Sequence, residues 1–109
     1  MFADILPRDS ALIPALDDAY RDLELAMRPH GCAACHAPDL ETGDRRERVR
    51  HAVMLLDTRR MLEVMVEANL MPPETDEHPA GIADETQRAR LLLRLRTFRA
   101  LADAAVASW

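Results

Sequence analysis

The chain has no lysine: all 14 of its basic residues are arginine. Biased genome composition is the expected cause for most of them, with the alternative that some arginine forks grip carboxylates in a bidentate way. The 14 basic residues face 19 acidic ones, a formal net charge of −5, and form no long basic stripe. Nucleic acid is therefore a poor partner for it. Aromatics are scarce, with only Phe2, Tyr20, Phe98 and Trp109. A large flat apolar group at the centre would make up for them, and so would a bundle filled with Leu, Ala and Met. No apolar run is long enough to span a membrane. Residues 1–14 carry Asp4 and Asp9 and lack a basic start followed by an apolar stretch, so they do not read as a secretory signal. No Ser/His/Asp set, phosphate-binding glycine loop or pair of catalytic carboxylates stands out. No catalytic residue is assigned, and the chain is not read as an enzyme. Strand alternation and internal repeats are also missing, which leaves an all-α chain.

At 109 residues the chain fits one domain, 1–109, with residues 1–9 as an irregular N-terminal segment. Ser10 to Arg28 reads as a helix, with Leu12, Leu16, Ala19, Tyr20, Leu23 and Met27 on one face. Pro14 fits only near its first turn, and Pro29 stops it. A loop follows through Gly43. Asp44 then starts a helix to about Leu56, with Val49, Ala52, Val53 and Leu56 inward. Asp57 is placed as the N-cap of another helix, from Thr58 to Ala68. Met61, Leu62, Met65 and Val66 are expected to face inward there, and Asn69 suits a left-handed stop. After a loop from Leu70 to Ala83, Asp84 with Gln87 resembles a capping box. The last helix runs to about Ser108. Leu91, Leu95, Phe98, Ala102, Ala105 and Trp109 recur along its face.

The chain has two cysteines, and both fall in Cys32-Ala33-Ala34-Cys35-His36. That is C-x-x-C-H, the attachment sequence of a covalent c-type haem. Two thiols one short turn apart reach the two vinyl groups on one edge of the ring, and the adjoining imidazole binds iron from the proximal side. Other readings use the same residues. The pair could be a thiol redox centre. It could form a plain disulfide. It could also hold zinc, with His36 and one of His30, His51 or His78. A common structural zinc site would use a second Cys-x-x-Cys pair, and a thiol oxidoreductase would set its pair beside a βαβ pattern. The chain has neither.

An iron held by His36 needs a ligand on its other side, and Met71 is the choice. It lies in Leu70-Met71-Pro72-Pro73, just after a helix, where the prolines limit the backbone freedom lost on binding. His/Met ligation raises a haem potential. Of the other methionines, Met27, Met61 and Met65 read as core fillers on apolar faces, and Met54 is ambiguous. His51 and His78 are the runner-up ligands, each read by default as a surface histidine. His30 lies too near the cysteines to reach the opposite face easily.

This order of parts resembles the class I cytochrome c family over nearly the whole chain. It runs from an N-terminal helix to Cys32-x-x-Cys35-His36, then middle helices, the Met71-Pro72-Pro73 loop and a long C-terminal helix. The resemblance implies a small all-α domain wrapped around one haem c, with thioether bonds at Cys32 and Cys35 and axial ligands His36 and Met71. It also implies that the first and last helices cross, bringing Tyr20 or Leu23 near Leu95 or Phe98. Many relatives carry a glycine and an aromatic residue before the cysteines. Here Leu23-Glu24-Leu25-Ala26-Met27-Arg28 has neither. Pro38 stands near His36, where relatives use a proline carbonyl to orient the imidazole.

The expected function is single-electron transfer with redox partner proteins. The alternatives are a haem-based ligand sensor with an open or labile distal site, and a haem-free zinc or thiol module. Haem attachment through this motif takes place outside the cytoplasm, so a periplasmic or other extracytoplasmic location is expected, with a leader removed or the domain excised from a longer protein. Arg45, Arg46, Arg48 and Arg50 read as a solvated helix face, and the arginines of the last helix as surface charges paired locally. Glu74, Asp76 and Glu77 are either a docking rim or a solubilising loop.

Overall fold

The computed structural model describes residues 1–28, 45–71, 73–76 and 79–108. Three α-helices carry this part of the chain: α1 (Leu12–Met27), α2 (Arg45–Glu67) and α3 (Glu85–Ala107). A single 3-10 turn, Phe2–Asp4, precedes them. No described residue lies in a strand, so the all-α reading holds.

Helix α1 begins where Ser10 can serve it. The Ser10 hydroxyl accepts from the Leu12 N–H at 3.3 Å, and its carbonyl accepts from the Ile13 N–H at 3.3 Å. Pro14 sits in the first turn, where a backbone N–H has no carbonyl behind it to bond. Leu16, Ala19, Tyr20, Leu23 and Met27 are buried, and Leu12 packs partly against them. These are the residues that helical spacing selects.

The N-terminal segment contributes more than its composition promised. Phe2 is fully buried, and Leu6 is buried with it. The Asp17 carboxylate accepts from the Phe2 N–H at 3.1 Å, which ties the segment to α1. The Phe2 ring meets Tyr20 edge-on at 6.4 Å and Phe98 at 5.9 Å. Tyr20 and Phe98 lie 6.5 Å apart. The three rings thus form one cluster between α1 and α3. It confirms that the first and last helices pack together, with Tyr20 against Phe98. Each such ring pair adds roughly 0.5–1.5 kcal/mol beyond the area it buries.

The middle of the chain departs from expectation. Two helices divided at Asp57 are replaced by one continuous helix of 23 residues. Nothing between Arg45 and Glu67 breaks a helix, since the stretch has neither glycine nor proline. Asp57 is exposed mid-helix, and the Thr58 hydroxyl donates back to the Met54 carbonyl at 2.8 Å, a bond made within a continuing helix. A cap-forming residue type is not a cap when good helix formers stand on both sides of it.

The buried set of α2 is His51, Ala52, Leu55, Leu56 and Val66, with Leu62 packed against it. Met61 and Val53 do not face inward as expected: they are 64% and 39% exposed. Joining the two segments fixes one phase along the whole helix, and that phase carries both residues to the outside.

Helix α3 is the hub, packing against both α1 and α2. Asp84 caps it, accepting from the Gln87 N–H at 3.0 Å. Leu91, Leu95, Phe98, Ala102 and Ala105 are buried on one face, as the spacing required. Its arginines do more than pair locally. Arg96 and Arg99 reach across to Glu63 of α2, Arg96 at 3.1 Å. Arg59 of α2 reaches back to Asp103 at 2.6 Å. Hydrogen bonding from Arg59, with the nearby charge of Arg60, holds the Asp103 carboxyl below its ordinary pKa. At the other end of α2, Arg45 and Arg48 pair with Asp4 at 3.3 and 3.5 Å. Part of the basic cluster thus fastens the N-terminal turn to α2.

Candidate functional site

The candidate site divides at the boundary of the described residues. Cys32, Cys35 and His36 lie outside them, as do His30, His78, Pro38, Pro72 and Trp109. Met71 lies inside, half-buried and not part of the main core.

The backbone that positions Met71 is built residue by residue. Helix α2 ends at Glu67, and Asn69 turns left-handed at φ +59°. The Leu70 N–H donates to the Met65 carbonyl at 2.9 Å, and the Asn69 N–H to the Val66 carbonyl at 3.0 Å. These are the paired bonds of a Schellman end, which satisfy carbonyls the helix would otherwise leave open. Asn69 was legible as this stop. Its second role was not. The Asn69 side-chain oxygen accepts from the Ile82 N–H at 2.8 Å, pinning the far end of the loop to its start.

Gly81 makes that pin possible. Its φ is +89°, and a Cβ there would stand 2.4 Å from the Asn69 carbonyl oxygen and 2.5 Å from its side-chain oxygen. Only glycine fits both the dihedral and the space. Buried Ile82 anchors the junction to the core. Met71 therefore leaves a fixed point, two residues beyond Asn69. The prolines drew attention to this loop, but the clasp among the described residues is Asn69, Gly81 and Ile82. The lone glycine of the loop was the available signal.

His51 differs from its expected surface place. Its side chain is buried, and its Nε2 lies 2.9 Å from the Tyr20 hydroxyl. The two rings meet edge-on at 5.8 Å. The contact links α1 to α2 through their side chains. Burial, aided by the nearby charge of Glu24, pushes the Tyr20 hydroxyl up to about 12, so the phenol stays neutral at physiological pH.

Among the described residues, no three of His, Cys, Asp or Glu gather as a metal site. No described helix is long and apolar enough to cross a membrane. No protein-family model, curated protein or solved structure matches the chain. The likeness to class I cytochromes c thus rests on the motif and the loop methionine, since one helix stands where middle helices were expected.

Proposed function

We propose that this chain is a monohaem c-type cytochrome domain that passes single electrons between redox partner proteins outside the cytoplasm. The observation that carries the reading is Cys32-Ala33-Ala34-Cys35-His36, the chain's only two cysteines in the haem-attachment spacing. Cys32 and Cys35 would hold the ring through thioether bonds, and His36 would bind iron from one face. Met71 suits the other axial position. Its thioether is half-buried and the core does not consume it, while neighbouring Leu70 is exposed. Both side chains remain for a large apolar cofactor. The Asn69–Gly81–Ile82 clasp holds the start of the loop, which lowers the ordering entropy of engaging Met71.

A bound haem c supplies the one-electron couple of its iron. The chain supplies a rigid setting for it. Buried Phe2, Tyr20 and Phe98 fix α1 on α3, so the helix that leads into the motif has one orientation. With His36 and Met71 both holding the iron, a bound haem would keep no position for a substrate, so the reading proposed is carriage rather than catalysis.

The test is a spectrum and mass of the full chain matured in a haem-attaching host. Sharp reduced bands and the mass gain of one haem are expected. Without either, the reading fails. Met71→Ala is expected to keep the haem and lose its low-spin His/Met character. Carbon monoxide should bind the reduced parent poorly and the variant well. Rapid binding to the parent would instead indicate a sensor with an open distal site, and stoichiometric zinc without iron would indicate the haem-free module.

A further inference from the structure

The side of helix α2 turned away from the core carries four exposed apolar residues among charged ones, and nothing in the described chain covers them. Val53, Met54, Met61 and Val64 are 39, 36, 64 and 60% exposed. At 100° per residue they cluster on the side opposite Ala52, Leu55, Leu56 and Val66. Exposed apolar residues on one side of a helix suit an interaction surface when the charges around them are matched by the partner.

The charges along the row select its occupant. Arg50, Val53, Asp57, Arg60, Val64 and Glu67 follow one another at alternating spacings of three and four residues. That spacing keeps all six on one side of the helix, two apolar and four charged, where a second helix could lie along them. In an antiparallel pairing of two such helices, setting Val53 against Val64 fixes every other match. Arg50 then meets Glu67, and Asp57 meets Arg60. Two-fold symmetry repeats each match, giving two apolar and four oppositely charged contacts from one register. Met54 and Met61 lie beside the seam and meet each other across it. A parallel pairing would set Asp57 on Asp57 and Arg60 on Arg60.

We propose that the outer face of α2 is a self-docking surface, on which a second copy of this chain lies antiparallel with Val53 opposite Val64. The contact is isologous, so it closes as a dimer and does not propagate. Arg60 and Glu67 also have partners within the chain, half-buried Asp103 at 3.6 Å and exposed Arg96 at 3.7 Å, both long contacts made by exposed ends of α2 side chains. They can turn to the second copy with little loss. One helix against one helix makes a small interface, so the dimer is a concentration-dependent one. The inference does not rest on the haem reading.

Sedimentation equilibrium of the full chain, matured in a haem-attaching host, tests it from low-micromolar to near-millimolar concentration. The mass should rise toward twice that of the monomer. Met61→Asp should abolish the rise while the helical circular dichroism stays unchanged. Arg50→Glu alone and Glu67→Arg alone should each weaken association roughly tenfold, because like charges then meet across the seam. The double variant should recover most of the loss, a recovery that general surface stickiness does not predict. A chain that stays monomeric throughout overturns the proposal. So does a dimer indifferent to Met61→Asp, or a double charge swap no better than its singles.

Discussion

The inner and outer faces of α2 are built from similar residues and meet opposite fates. Inside, Ala52, Leu55, Leu56 and Val66 are almost fully buried. Outside, Val53, Met54, Met61 and Val64 are open to solvent. Side-chain hydrophobicity does not separate the two sets. The difference lies in what faces them. Helix α3 and the ring cluster lie on one side, and nothing among the described residues covers the other. Burial is a property of a partnered face, and an apolar residue on an unpartnered face keeps its transfer free energy in reserve for association.

The largest effect that can test this contrast is a matched pair of truncations. Leu56→Ala removes buried methyl groups and should cost about 2–5 kcal/mol. Met61→Ala, in dilute solution where the chain is a monomer, should change stability by no more than about 0.5 kcal/mol. Urea unfolding midpoints measure both. Equal losses would mean that the outer face is covered within a single chain.

The next test concerns the polar member of the inner face. Tyr20→Phe leaves the buried His51 Nε2 without the hydroxyl it now meets, at a cost of about 1–3 kcal/mol. Replacing both, Tyr20→Phe with His51→Leu, should cost less than the two single losses added together. The second substitution removes the group that the first stranded. Strict additivity would show that the bond does not join the two side chains energetically.

The same pair gives the inner face a pH dependence at high pH. The Tyr20 hydroxyl is raised from 10.0 to about 12, mainly by burial and further by Glu24. Between those values the unfolded chain releases the phenolic proton and the folded chain keeps it. The unfolded state therefore gains as pH rises. Stability is whole below about pH 10 and is lost as pH climbs through about 12. The urea midpoint should fall over that window in the parent and fall less in Tyr20→Phe, the chain's only tyrosine having been removed. Parallel curves would remove Tyr20 as the cause.

How much of this was legible depends on how local the signal was. Helix α3 could be read almost residue by residue, since Asp84 caps it and one apolar face runs unbroken to Ala105. The left-handed Asn69 was also legible, because a helix end with asparagine has few other solutions. Phe2 was not, because nothing local distinguishes an aromatic residue in an irregular segment from a solvated one. Its place is set by Asp17, Tyr20 and Phe98, far along the chain. His51 was misplaced for the same reason, its partner lying on another helix. In the candidate site, Met71 stood out by its neighbours, while the clasp that steadies it joins residues thirteen apart. The cysteines and His36 were legible as chemistry from spacing alone, and their places lie outside the described residues.

The smallest effect bears on the error that hid the two faces. If Asp57 capped the start of a helix, Asp57→Ala would remove that cap and cost about 1 kcal/mol. In a continuous α2 the side chain is exposed mid-helix and caps nothing, while alanine is the better helix former. Asp57→Ala should then leave a dilute monomer unchanged or more stable by a few tenths of a kcal/mol. Asp84→Ala is the internal control, since that carboxylate does accept the Gln87 N–H and its loss should cost about 1 kcal/mol. Both are aspartates followed by a helical run, and only their surroundings differ. Equal losses at the two positions would split α2 at Asp57. The outer row from Arg50 to Glu67 would then no longer lie on one face, and the self-docking register would fail with it.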